Sequence, residues 1–182
     1  KRGLKLLYKN EPYLIIDFQH VKPGKGGAFV RTKMRNLVSG LMHEETFRSG
    51  EKFEDPSVEN KKMQYLYKEG GIYFFMDQNT FDQVGLNENQ LTSVLNFLKE
   101  ETTYEVMYFF DKPIAVTPPL FMVLEIVETQ PGVRGDTAQG GATKPATLET
   151  GLVVNVPLFL NEGDVVKVDT RTSQYLERAD KK

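Results

Sequence analysis

Three consecutive stretches decide how the chain folds. They are Tyr13-Leu14-Ile15-Ile16-Asp17-Phe18, then Lys22-Pro23-Gly24-Lys25-Gly26-Gly27, then Ala28-Phe29-Val30-Arg31-Thr32-Lys33-Met34-Arg35. The first is apolar and partly β-branched. The last alternates apolar with basic or polar side chains, the period of a strand buried on one face. The middle stretch holds a proline and three glycines, which cannot continue a strand and suit a tight connection. Together they predict a β-hairpin with a basic tip, in which Arg31, Lys33 and Arg35 share one face. A six-residue strand adds about 20 Å of reach, at roughly 3.3 Å per residue.

The same pattern repeats along the chain. Lys62 to Tyr67 and Ile72 to Met76 flank a Glu69-Gly70-Gly71 turn and form a second hairpin. Leu91, Val94, Leu95 and Leu98 fall at helical spacing, with Asn87 and Gln90 placed as a capping box. This predicts one helix over 87–100. Strands follow at Thr103–Tyr108, Leu120–Val127, Leu152–Val156, Val165–Asp169 and Gln174–Arg178, and residues 131–147 form a long Gly-, Thr-, Ala- and Pro-rich loop. Glu54-Asp55-Pro56 and Thr117-Pro118-Pro119 mark linkers. Many short strands with one short helix predict an all-β chain of three small barrels, spanning 1–55, 56–118 and 119–182.

Composition narrows the function. The chain has 182 residues, 40% hydrophobic and 26% charged, with no cysteine and a net charge of −2. Disulfides and thiolate metal sites are excluded, and no apolar run is long enough for a membrane span. Residues 1–55 carry 11 Lys and Arg against 7 Asp and Glu, a net +4. Residues 56–118 carry 5 against 9, and residues 119–182 carry 7 against 9. A basic first third joined to acidic remainders fits a chain whose one end meets nucleic acid. His20 and His43 form no metal-ligand pattern, and no Gly-x-Ser-x-Gly elbow occurs. Gly24-Lys25-Gly26 lacks the spacing of a phosphate loop. The sequence therefore reads as a binding protein rather than an enzyme. A generic RNA-binding module with OB-like barrels is the alternative, and the acidic second and third parts weigh against it.

Lys144-Pro-Ala146-Thr-Leu-Glu-Thr-Gly151-Leu-Val-Val154-Asn-Val156-Pro157-Leu-Phe-Leu160-Asn-Glu-Gly163 matches, residue for residue, the signature of bacterial translation elongation factor P. The resemblance extends over essentially the whole chain. It includes Lys22-Pro-Gly-Lys-Gly at the tip, Tyr65-Leu-Tyr, Thr80-Phe-Asp-Gln and Pro131-Gly-Val-Arg-Gly135-Asp136-Thr137. It continues through Val168-Asp-Thr-Arg171 and Tyr175-x-x-Arg178. Phe110-Asp111 departs from it, standing where the family often has Asn-Gly. Gly27 stands where many relatives have Gln. An elongation-factor-P-like paralogue is the neighbouring reading.

The resemblance implies an SH3-like, KOW-type first domain followed by two OB-fold barrels. It implies a cytoplasmic, monomeric protein with no cofactor that binds both ribosomal subunits between the peptidyl-tRNA and exit sites. There it would stimulate peptide bond formation at consecutive prolines. Lys25 would be the modified residue, extended by a lysine-modifying enzyme through a group such as β-lysine. Lys22, Gly24, Lys25, Gly26, Arg31, Lys33, Arg35, Arg171, Tyr175 and Arg178 would meet tRNA or ribosomal RNA. Gly135, Asp136 and Thr137 would face the messenger in the exit site.

Overall fold

The computed structural model describes residues 1–22, 24, 27–131 and 142–180. Its strands form three antiparallel sheets, within Lys5–Arg48, Glu59–Thr117 and Phe121–Ala179. By compactness the chain divides into Lys1–Lys61 with Val106–Ala115, and Lys62–Glu105 with Val116–Lys182.

The first sheet runs β1 (Lys5–Tyr8), β2 (Glu11–Val21), β3 (Phe29–Asn36) and β4 (Met42–Arg48), in that order. β3 alternates as its sequence demands. Thr32, Met34 and Asn36 are buried, while Arg31, Lys33 and Arg35 are exposed. Leu6, Tyr13, Met34 and Phe47 form the core, with Tyr8, Ile15 and Phe53 packed against it. Two contacts tie down the sheet's edge strand β1. The Tyr8 hydroxyl on β1 donates to Glu45 Oε2 on β4 at 2.5 Å, and Leu7 N–H donates to the Glu54 carbonyl at 2.9 Å. That hydroxyl, with the Thr46 N–H, holds the Glu45 carboxyl below its usual range and is itself raised by it.

Pairing of β2 with β3 slips between Ile15 and Asp17. The extra residue, Ile16, is 38% exposed. Such a bulge increases local twist and re-aims the strand beyond it. The segment beyond this bulge, Asp17–Val21 with its partners Phe29–Lys33, is the arm carrying the basic tip.

The second sheet has the order β7 (Gln83–Asn87), β6 (Ile72–Asp77), β5 (Glu59–Glu69), β8 (Thr103–Phe109) and β9 (Lys112–Thr117). Two of its hairpins use the same turn with opposite chemistry. Gly70 and Gly71 join β5 to β6 with φ of 55° and 80°. Phe110 and Asp111 join β8 to β9 with φ of 47° and 57°. Positive φ at both central residues is the two-residue turn that matches strand twist, and it favours Asn-Gly. A Cβ in this region costs about 1–2 kcal/mol per residue. Replacing Phe110-Asp111 with Asn-Gly is therefore expected to stabilise the protein by about 1 kcal/mol, after the entropy cost of glycine. Thermal unfolding should show a melting temperature higher by about 2–4 °C.

The predicted helix over 87–100 is not one. Two 3-10 turns stand there, Glu88–Gln90 and Leu95–Phe97. N–H groups of Leu91, Val94 and Phe97 donate three residues back, to Glu88, Leu91 and Val94. The side chains of Leu91, Val94 and Phe97 are buried, a spacing of three that suits 3.0 residues per turn. Asn89, Thr92, Ser93 and Asn96 disfavour an α-helix interior because their side chains compete for the backbone. The expected capping box is nevertheless formed: Gln90 Oε1 accepts the Asn87 N–H at 2.9 Å, and the Asn87 side chain accepts the Gln90 N–H.

The third sheet has the order β12 (Val153–Pro157), β11 (Thr143–Leu148), β10 (Phe121–Thr129), β13 (Val165–Asp169) and β14 (Gln174–Ala179). Ala146, Leu148, Val154, Val156 and Leu160 point into its core. Gly151 and Gly163 sit in turns at φ of 84°. The signature stretch is thus largely a folding pattern. Its lysine, Lys144, is buried, and Nζ donates to the Gln130 carbonyl at 2.6 Å.

Candidate nucleic-acid interface

The first candidate surface lies on the outward face of β3. Lys22 follows the last residue of β2, Val21, and is exposed. Gly24 and Gly27 are exposed, and a Cβ built on either meets no atom within 4 Å. Nothing within the fold requires glycine there for space. Lys25 and Gly26 lie outside the described residues.

Cross-strand partners tune the cationic face. Lys33 stands opposite Asp17 on one side and Glu44 on the other, and its Nζ lies 4.0 Å from Glu44. The Asp17 carboxyl takes the Arg2 guanidinium at 2.6 Å, chiefly for which its pKa is lowered. Arg31 stands between Gln19 and Thr46, and Arg35 between Leu14 and Met42. Among the described residues, neither arginine has an ion-pair partner. Arg48 joins them, because its register opposite Phe29 places it on the same face as Thr46. Sequence reading missed Arg48, since the pairing register that brings it there is not visible along the chain.

The second surface runs along β13 and β14. The Arg171 guanidinium grips Asp169 with Nε at 3.0 Å and Nη2 at 2.5 Å. Arg178 Nη2 meets Asp164 Oδ1 at 2.8 Å. Both arginine side chains are nevertheless 61% exposed. Tyr175 is half-buried and packs against the third core, so most of its ring is spent on packing. Gly135, Asp136 and Thr137 lie outside the described residues. Among the described residues, no cluster of three or more His, Asp or Glu could hold a metal ion. No helix among them is long and apolar enough to cross a membrane.

The side-chain bond from Arg171, with the Arg171 N–H, lowers Asp169 from 3.8 to about 2. A carboxyl depressed in the folded state contributes stability that is present above its unfolded pKa and lost as pH falls through the folded one. The loss should therefore run from pH 4 down to about 2. Thermal melts across that window should fall more steeply for the parent than for Asp169→Asn, and parallel curves would contradict the linkage.

A four-stranded KOW-like sheet, followed by an OB sheet and a third barrel-like sheet, places this fold in the KOW-plus-OB class. The solved structure titled eukaryotic translation initiation factor 5A from Methanococcus jannaschii shares it, at TM-score 0.54 and 23% identity, covering 65% of this chain and 88% of that one. The family models narrow the class. The elongation factor P KOW-like domain matches residues 1–53, its OB domain 58–116 and its C-terminal domain 122–178. Proteins named Elongation factor P match along the chain. That of Natranaerobius thermophilus is 51% identical, covering 98% of this chain and 94% of its own. That of Alkaliphilus oremlandii is 49% identical, over 98% and 96%. That of Bdellovibrio bacteriovorus is 48% identical, over 100% and 96%. The chain belongs to the elongation factor P family.

Proposed function

We propose that this chain binds the ribosome between the peptidyl-tRNA and exit sites and stimulates peptide bond formation at consecutive prolines. The observation that carries the reading is the exposed face of Arg31, Lys33 and Arg35 on the hairpin that bears Lys22, with Arg48 beside them on β4. Phosphate contacts of this kind position a protein on RNA without reading sequence. Family membership supports the partner, since the relatives are named as elongation factors. Lys25, extended by a group such as β-lysine, then stands beside the CCA end of the peptidyl-tRNA. Gly135, Asp136 and Thr137 face the messenger in the exit site, and Arg171 and Arg178 take phosphates from the third sheet. The protein acts as a cytoplasmic monomer, by positioning rather than by acid–base chemistry.

Ribosome binding measured against salt tests this. Each phosphate neutralised by Lys or Arg releases counterions, so log affinity falls linearly with log salt. The Arg31→Ala/Lys33→Ala double variant should flatten that slope by about 1–2. An unchanged slope would remove the β3 face from the interface.

A further inference from the structure

We infer that Asp169 is a positioning residue that locks the Arg171 guanidinium in a fixed attitude for an RNA phosphate. The inference rests on the reading that Arg171 meets RNA. Arg171 and Asp169 stand at the β13–β14 turn. Asp169 is buried, at 7% exposed, and its Oδ1 accepts both the Arg171 N–H at 2.9 Å and Nε at 3.0 Å. Oδ2 accepts Nη2 at 2.5 Å. Two parallel bonds from one guanidinium to one carboxylate fix its plane as well as its place. The Phe121 ring, with its centroid 6.0 Å from the guanidinium carbon, lies against it as well.

The donor inventory shows what is left over. A guanidinium has five N–H donors in a rigid fork. Asp169 uses two of them, one from Nε and one from Nη2. The remaining three belong to Nη1 and the outer side of Nη2, on a side chain that is 61% exposed. The arginine is therefore anchored along one edge and open along the other. An open edge of three donors held in place suits the bidentate geometry of a phosphate. A free arginine loses rotamer freedom on binding, and prior anchoring reduces that loss. Asp169 is a carboxylate throughout the range in which ribosomes work, since its pKa is about 2. A single-bond arginine–aspartate contact stands at the other end of β13. Asp164, with its side chain 16% exposed, accepts Arg178 Nη2 at 2.8 Å, and its Oδ2 accepts the Asn161 N–H at 2.8 Å.

Simple charge and positioning predict opposite signs, which makes the inference testable. Asp169→Asn removes a negative charge from an RNA-facing surface. Without a positioning role, ribosome affinity should rise and its salt slope steepen. With one, affinity should fall, by about three- to tenfold, although net positive charge has increased. The measurement is ribosome affinity of the intact protein for parent, Asp169→Asn, Arg171→Ala, the double variant and Arg171→Lys, with a thermal melt of each. Arg171→Ala should weaken binding by about tenfold, and adding Asp169→Asn to it should cause no further loss. Arg171→Lys keeps the charge and Asp169 but lacks the fork, so it should lose about as much as Asp169→Asn. That arm decides the matter if Asp169→Asn melts early. Unchanged affinity in Arg171→Ala would overturn the underlying reading that Arg171 meets RNA. Loss in Arg171→Ala with gained or equal affinity in Asp169→Asn, or with full affinity in Arg171→Lys, would leave that reading intact and overturn the positioning role.

Discussion

Lys25→Ala is expected to melt like the parent protein and to lose most of the acceleration of translation at proline runs. Lys25 lies between Gly24 and Gly26 in sequence, on the connection between β2 and β3. Its described neighbours Gly24 and Gly27 are exposed with open space around them. Surface substitutions of this kind change stability by no more than about 0.5 kcal/mol. The functional loss has a separate cause. Proline's ring fixes φ, and its nitrogen is a constrained nucleophile, so the peptidyl-tRNA can be badly placed for attack. An arm that orients the CCA end lowers the barrier through proximity rather than proton transfer. On the proposed function, loss of the Lys25 side chain removes that orientation. Lys22→Ala serves as the control. It stands at the base of the connection and should weaken ribosome binding while leaving rescue in place at saturating protein. The assay is translation of messages with and without three consecutive prolines, beside thermal melts of each variant. Full rescue by a stably folded Lys25→Ala protein would reduce the tip to a passive turn.

The strands were legible because their burial alternates within single stretches. Residues 28–35 read as half-buried, and Thr32 and Met34 are indeed inside while Arg31, Lys33 and Arg35 are outside. What depends on pairing was not legible. The bulge at Ile16 follows from how β2 meets β3, and Ile16 looks like one more apolar strand residue. Arg48 joins the basic face only through its register with Phe29. The signature from Lys144 to Gly163 was recognisable as a family mark, but its inward residues and positive-φ glycines serve the third barrel itself. The 87–100 segment was misread because Leu91, Val94, Leu95 and Leu98 satisfy a helical period. Leu91, Val94 and Phe97 satisfy a period of three equally well, and the short polar residues Asn89, Thr92, Ser93 and Asn96 around them tip the balance. The helical stripe leaves Phe97 out of view, although its side chain belongs to the third sheet's core.

Phe97→Ala is expected to cost about 3–5 kcal/mol, the range for deleting a buried aromatic side chain. Phe97 follows the second sheet's β7 in sequence, yet its side chain belongs to the core cluster of the third sheet, among Met122, Leu124, Leu148 and Val168. Its backbone is tied into the second sheet. The Phe97 N–H donates to the Val94 carbonyl at 2.8 Å, and its own carbonyl accepts the buried Tyr104 hydroxyl at 2.6 Å. Burial raises the pKa of that hydroxyl to about 12, so it remains a donor at any pH the protein meets. One residue therefore links two sheets, with its backbone fixed in one and its ring in the core of the other. Beside it, Lys99 Nζ donates to the Val123 carbonyl at 3.1 Å and to Glu149 Oε1 at 2.8 Å. That pair is partly exposed and contributes at most about 1 kcal/mol. Lys99→Ala should accordingly lower the melting temperature by only a few degrees. Phe97→Ala should lower it by about 6–20 °C, at 2–4 °C for each kcal/mol in a chain of this size. Because the link is lost as well as the packing, the single unfolding transition should broaden or divide. Calorimetry of the two variants separates these contributions. A Phe97→Ala protein that melts within 2 °C of the parent, in one sharp transition, would mean that the two sheets do not depend on this ring.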